Sequence, residues 1–237
     1  MSNADAGPGA SPPWAAAARA VALFAIDPVG LHGVSLRSLA GPARDRWLAL
    51  LRDYLPEGAP LRRVPNHITD SRLLGGLDLA ATLRTGKPVA ERGLLVEADG
   101  GVVVLAMAER LTTGTAGRIG GVLDRAEVQL ERDGLGLRSA TRIGVVALDE
   151  GLNEDEFPPI ALTDRFAFLL DLANVTESDL AVPAIPPETI AAARARLESV
   201  TLSDELLSAI CSAALAFGVA PVRASVLAIK AARAAAA

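Results

Sequence analysis

Gly33 to Leu51, GVSLRSLAGPARDRWLALL, has the outline of a phosphate-binding loop without that loop's chemistry. Val34–Arg37 reads as a short buried strand, Ser38–Ala43 as a turn of small residues, and Arg44–Leu51 as the start of a helix. A working loop of this type is G-x-x-x-x-G-K-[ST]. Its glycines let backbone N–H groups approach phosphate, its Lys reaches the outer phosphates and its hydroxyl binds Mg²⁺. On that frame Ser38 and Ala43 stand at the glycines, Arg44 at the Lys and Asp45 at the Ser/Thr. A guanidinium still pairs well with oxyanions, so Arg44 suits phosphate. Asp45 opposes it, because a carboxylate in the first helical turn takes the place of an anion at the positive helix end and repels ATP. The plainer alternative is that both residues cap and decorate a helix. A scaffold kept while the ATP chemistry is lost points to a partner protein rather than a motor.

Other chemistry-bearing residues offer less. His32 and His67 are the only histidines and lie far apart, and no His, Cys or carboxylate set has metal-ligand spacing. No G-x-S-x-G supports a nucleophilic serine. The acidic Asn153–Glu156 run lacks the spaced ligands and Gly of a calcium loop and reads as solvated. The Gly-rich Thr112–Gly121 stretch has no Lys and follows the wrong strand for a phosphate loop; it reads as a flexible helix start. The single cysteine, Cys211, lies in an apolar helical stretch and is expected to pack in the core.

The elements that must position these residues follow from composition and periodicity. Of 237 residues, 51% are hydrophobic but only 3% aromatic, so Leu, Val, Ile and Ala must build the interior. A net charge of −5, with no basic stripe, gives no support for nucleic-acid binding. The apolar Trp14–Ile26 run is too short to span a membrane and carries Arg19. The N-terminal MSNADAGPGASPP has no signal-peptide pattern, so residues 1–13 are expected to be a disordered tail and the protein cytoplasmic, with no membrane insertion.

Helices are expected at Trp14–Ile26, Arg44–Leu55, Asp78–Thr85 and Thr113–Ala126, alternating with strands at Val34–Arg37, Leu61–Val64, Gly101–Met107, Arg142–Leu148 and Phe166–Leu172. Apolar strands alternating with helices predict an α/β fold with a mostly parallel sheet covered on both faces. Val128–Arg138 alternates on both sides of Asp133-Gly134, which predicts an antiparallel hairpin before the Arg142 strand. The core is expected over residues 14–180. Residues 181–187, with three prolines, read as a linker, and 188–237 as a small all-helical lid.

Those pieces in that order resemble the AAA+ ATPases, in the branch with an extra helical insert and a hairpin before sensor 1. Within it they resemble magnesium chelatase, and its D subunit rather than its motor I subunit. HITDSRLLGGLDLAATLRTGKPVAERGLLVEADGGVVVL (His67–Leu105) is similar to the chelatase insert leading into the Walker B strand. VQLERDGLGLRSATRIGVVAL is similar to its hairpin and sensor 1 strand, LTDRF (Leu162–Phe166) to its arginine motif, and IAAARARLESV (Ile190–Val200) to the start of its lid. The resemblance covers about residues 20–237 and implies a five-stranded αβα P-loop-type core.

The departures decide the subunit. Where a motor's Walker B strand ends in Asp-Glu, this chain has Ala106 and Met107; Glu109, two residues on, is expected to face elsewhere. The sensor 1 Asn has no clear counterpart, with Asp149 or Glu150 near its place. The resemblance implies that Arg165 is an arginine finger reaching ATP held by a neighbouring subunit, the plain alternative being a surface Arg paired with Asp164. It implies that Arg223 matches the sensor 2 arginine, so that Arg44, Asp45 and Arg223 form a degenerate nucleotide site. It implies further that no cofactor is firmly bound by this chain, with ATP and Mg²⁺ at the interface with the partner. The implied assembly joins an I-subunit motor in a ring and a porphyrin-binding H subunit, and inserts Mg²⁺ into protoporphyrin IX for chlorophyll or bacteriochlorophyll. A D subunit would continue through an acidic, Pro-rich linker to an integrin-type domain, so the chain is expected to be part of a longer protein. The competing readings are a divergent active AAA+ ATPase and a regulatory adaptor of a MoxR-like motor.

Overall fold

The computed structural model describes residues 13–132, 135–153, 155–181, 183–219 and 221–237; the expected Asp133-Gly134 turn and all but the last residue of the expected N-terminal tail lie outside them. In chain order the helices are α1 (Pro13–Ile26), α2 (Pro28–Leu31), α3 (Pro42–Tyr54), α4 (Asp70–Leu74), α5 (Leu79–Thr85), α6 (Leu94–Glu97), α7 (Thr113–Arg125), α8 (Ile160–Thr163), α9 (Pro187–Arg196), α10 (Asp204–Ala216) and α11 (Val222–Ala236). The strands are β1 (Gly33–Arg37), β2 (Leu61–Val64), β3 (Gly75–Leu77), β4 (Ala90–Arg92), β5 (Val102–Leu105), β6 (Glu127–Arg132), β7 (Leu135–Ala140), β8 (Gly144–Asp149) and β9 (Phe168–Asp171).

Five strands form one parallel sheet in the order β2-β5-β8-β1-β9. Because side chains alternate across a strand, each inner strand feeds two cores. Val34, Leu36, Val102, Val104, Val146 and Leu148 pack with Trp14, Phe24 and Trp47 of α1 and α3. Val103, Leu105, Val145 and Ala147 face the other way, against Ile119 of α7 and Leu162 of α8. β5 and β8 are buried along their whole length, as continuous apolar runs in a doubly covered parallel sheet must be.

The carboxyl ends of β1, β5 and β8 open on one edge, where ligands bind in open α/β sheets. The start of α3 closes that edge. This helix begins at Pro42, two residues before the expected Arg44, because proline is pre-organised for a first helical turn and loses no bond there. β5 stops at Leu105, so Ala106 and Met107 lie in the following turn rather than in the strand. The Gly-rich stretch is no flexible lead-in. It forms the body of α7, whose cap Thr112 accepts the Thr115 N–H at 3.1 Å.

Between β2 and β5 the insert carries α4 to α6 and a short antiparallel pair, β3–β4, that the sequence did not disclose. β6 and β7 pair antiparallel from Glu127↔Ala140 to Arg132↔Leu135, just ahead of β8. The final helices return to α1: Ile190 and Ala193 of α9 and Ala234 of α11 join its core. α10 buries no residue and Cys211 is exposed, so the expected core packing of that thiol does not occur; α10 rests on α11 as an outer layer. Among the described residues no single helix is long and apolar enough to cross a membrane.

Candidate functional site

The edge where β1, β5 and β8 end is filled by ion pairs of the chain's own side chains. Arg44, buried in the first turn of α3, donates from Nη1 to Glu150 Oε1 at 2.7 Å. Its Nε is also buried and has no partner among the described residues. Glu150 is held in turn: its backbone N–H donates to Glu109 Oε2 at 2.9 Å. Glu109 does not face elsewhere, as its spacing after β5 suggested. Met107 takes a left-handed conformation (φ 47°), and the 3-10 turn Ala108–Arg110 swings the Glu109 carboxylate back under the β8 end, where it is 3% exposed.

Beside this pair stands an arginine that sequence reasoning missed. Arg37, the last residue of β1, donates to Asp149 Oδ2 (3.2 Å) and to the carbonyls of Glu156, Gly151 and Asn153 (3.0 Å each). Its guanidinium lies 4.6 Å from the Phe157 ring centroid. One side chain thus ties Gly151, Asn153 and Glu156 after β8 to the end of β1; the signal was a charged residue ending an otherwise buried strand. Arg110 closes the chain of charges on Glu156 at 3.0 Å. Backbone N–H donors from Leu152 and Asn153, together with Arg110, hold the Glu156 carboxyl below its ordinary range. Asp45 is exposed on the outer side of the α3 turn. Arg37 and Asp149 line one side of an open cavity of about 430 Å³, whose other walls are largely apolar, from Phe157, Pro158, Ile160 and Leu169.

A second cluster gathers the other two site candidates. Arg165 does not pair with its neighbour Asp164. It reaches Asp124 on α7, with Nε 3.1 and 3.0 Å from the two carboxylate oxygens and Nη2 2.5 Å from Oδ2, while Nη1 donates to the Ala161 carbonyl. Arg223, at the start of α11, donates to the same Asp124 at 2.8 Å. Hydrogen bonds from Arg165 first, and from Arg223, hold the Asp124 carboxyl below its ordinary value against the opposing effect of burial. The four sequence candidates therefore separate: Arg44 and Asp45 at the α3 turn, Arg165 and Arg223 together on Asp124. Among the described residues no group of three or more His, Cys, Asp or Glu is placed to hold a metal ion.

No protein-family model matches the chain. Among solved structures it is similar to a presumed ATPase from Cytophaga hutchinsonii (TM-score 0.64, 14% identity, 91% of this chain and 73% of that one). It is also similar to a chain from a cryo-EM-based complex of subunits BchI and BchD of magnesium chelatase (TM-score 0.52, 21% identity, 94% of both chains). At these identities the likeness is one of fold, the AAA+ α/β architecture. Sequence similarity goes further. The chain is 43% identical over 225 residues to the magnesium-chelatase 60 kDa subunit of Cereibacter sphaeroides, covering 95% of this chain and 37% of that protein. It is 37% identical to the 60 kDa subunit of Rhodobacter capsulatus (90% and 35%) and 30% identical to the 67 kDa subunit of Chlorobaculum parvum (91% and 37%). The chain thus spans little more than a third of the relatives it matches, and this likeness favours the chelatase reading over the other two. With the AAA+ fold and this similarity along nearly its whole length, the chain resembles just over a third of the magnesium-chelatase 60 and 67 kDa subunits.

Proposed function

We propose that this chain is the AAA+ part of a platform subunit that does not hydrolyse ATP itself but assembles with an ATPase subunit, as the I subunit of magnesium chelatase. On this reading the assembly couples the partner's ATP hydrolysis to insertion of Mg²⁺, a substrate here, into protoporphyrin IX held by an H subunit, on the route to chlorophyll or bacteriochlorophyll.

The observation that carries the reading is the Arg44–Glu150 pair. The guanidinium standing where a phosphate-binding Lys would stand is already neutralised by an internal carboxylate. The residues at this edge do not fit ATP–Mg²⁺. Ala106 and Met107 offer no ligand and no proton acceptor. Asp45 stands in place of the metal-binding hydroxyl, and Glu109 is tied to the Glu150 backbone.

What the chain offers to chemistry is on its other cluster. Arg165 is proposed as an arginine finger completing a neighbour's ATP site, where its positive charge would stabilise the transferring phosphoryl group. Such fingers contribute ~10³–10⁵ in rate in well-studied GTPases. Arg165 has a side chain 21% exposed, half-sunk but reachable from outside. In the complex of full-length protein with its ATPase partner, Arg165→Ala is expected to lower ATP turnover at least about tenfold without loss of assembly. Unchanged turnover would remove the finger role. The isolated chain is expected to show no ATP hydrolysis.

A further inference from the structure

We propose that Asp124 is a positioning residue: one carboxylate that gathers Arg165 of the core and Arg223 of the lid into a single anion-receiving patch. This inference rests on the reading above, in which Arg165 serves a neighbour's ATP.

Three parts of the fold meet at this carboxylate. Asp124 lies near the end of α7, Arg165 in the turn after α8, and Arg223 in the first turn of α11. The two arginines are 41 and 99 residues from it in sequence, so only the tertiary fold brings them together. The contact with Arg165 is the two-nitrogen, two-oxygen form, Nε to Oδ1 and Nη2 to Oδ2, which fixes the plane of a guanidinium as well as its place. Gly120, one turn earlier on α7, makes room for it. A Cβ there would stand 3.1 Å from Arg165 Nε and 3.2 Å from its Cδ. Oδ1 is shared, taking Arg165 Nε and Arg223 Nη1.

The charges do not cancel. Two guanidiniums against one carboxylate leave one net positive charge, and Lys230 on α11 lies beside His32 in the same corner. The three ionic side chains are 21–40% exposed, so a group from outside can reach them. Arg165 uses Nε, Nη1 and Nη2 inward, which leaves two of its five N–H bonds for a visitor. Arg223 commits only Nη1 among the described residues. Donors held before the substrate arrives cost no reorganisation during reaction, and that is the advantage of a fixed carboxylate behind a finger. The class of ligand this patch takes is a terminal phosphate of a nucleotide bound to an adjacent subunit.

The test uses full-length protein in complex with its ATPase subunit and reads kcat and KM for ATP, with sedimentation as the check on assembly. Variants are Arg165→Ala, Asp124→Asn, Asp124→Glu and the double Arg165→Ala/Asp124→Asn. Asp124→Asn is expected to lower kcat about tenfold, with KM within about twofold and the complex intact. Asp124→Glu should recover part of the loss, and the double variant should lose clearly less than the product of the two single losses. If Asp124→Asn does not assemble, the Glu variant is read by the same kcat-against-KM criterion. If Arg165→Ala is impaired while Asp124→Asn keeps its kcat, the positioning role is wrong and the finger stands. Loss that tracks disassembly, or multiplicative loss in the double, likewise overturns it. If Arg165→Ala has no effect, the finger reading fails and the patch with it.

Discussion

A guanidinium is a good phosphate ligand only while nothing else holds it, and Arg44 is held by Glu150 at 2.7 Å. Removing the carboxylate should expose both consequences. Glu150→Ala leaves a mostly buried positive charge without its partner, which costs about 1.5–3 kcal/mol, read as a lower midpoint in urea. The same variant should gain an anion site: inorganic phosphate should raise its melting temperature and leave the unsubstituted chain unchanged. An equal shift in both would mean that Glu150 does not block the edge. His32 offers a separate test by pH. Its Nδ1 is buried without a partner among the described residues, and burial, then Lys230, holds its pKa below 6.5. A histidine kept neutral in the fold but free to protonate when unfolded contributes fully above pH about 6.5, and its contribution falls as pH drops toward the lowered pKa. The melting temperature should therefore decline between pH 7 and 5.5, and less steeply in His32→Asn, whose side chain does not titrate there. Parallel slopes would assign the decline to other groups.

At the scale of elements, what could be read in the sequence depended on how local its cause was. β5 and β8 were legible because a strand buried on both faces must be a continuous apolar run. β3 and β4 were not, since GGL and AER are three residues each and β4 is exposed throughout, leaving no alternation to find. Glu109 was misplaced because its direction depends on the left-handed turn at Met107, a backbone choice that a non-glycine residue does not announce. Arg165 could be picked out by its LTDRF setting, but not its partner, which lies 41 residues away. The same holds for Arg194 of α9. It donates to the Ala25 carbonyl at 3.1 and 2.6 Å and to the Tyr54 carbonyl at 2.5 Å, so a single cation caps the C-terminal ends of α1 and α3. Arg194→Met keeps the apolar stem and removes those bonds. It should lower stability by about 1.5–3 kcal/mol and loosen the last three helices, seen as faster amide exchange in α9 and α11. Exchange unchanged there would mean that apolar packing on α1 alone holds these helices.

At the scale of the whole molecule, the AAA+ layers are intact while one edge is closed by its own charges and another carries paired arginines. On the proposed function, a chain built this way contributes through its surfaces and takes its dependence on ATP from the neighbour. The most direct measurement is sedimentation velocity of the full-length protein mixed with its ATPase subunit, with Mg²⁺ and with or without ATP. The account predicts one large co-sedimenting particle only when ATP is present, unaffected by Arg44→Ala. Separate boundaries for the two proteins in the presence of ATP, or assembly abolished by Arg44→Ala, would contradict it.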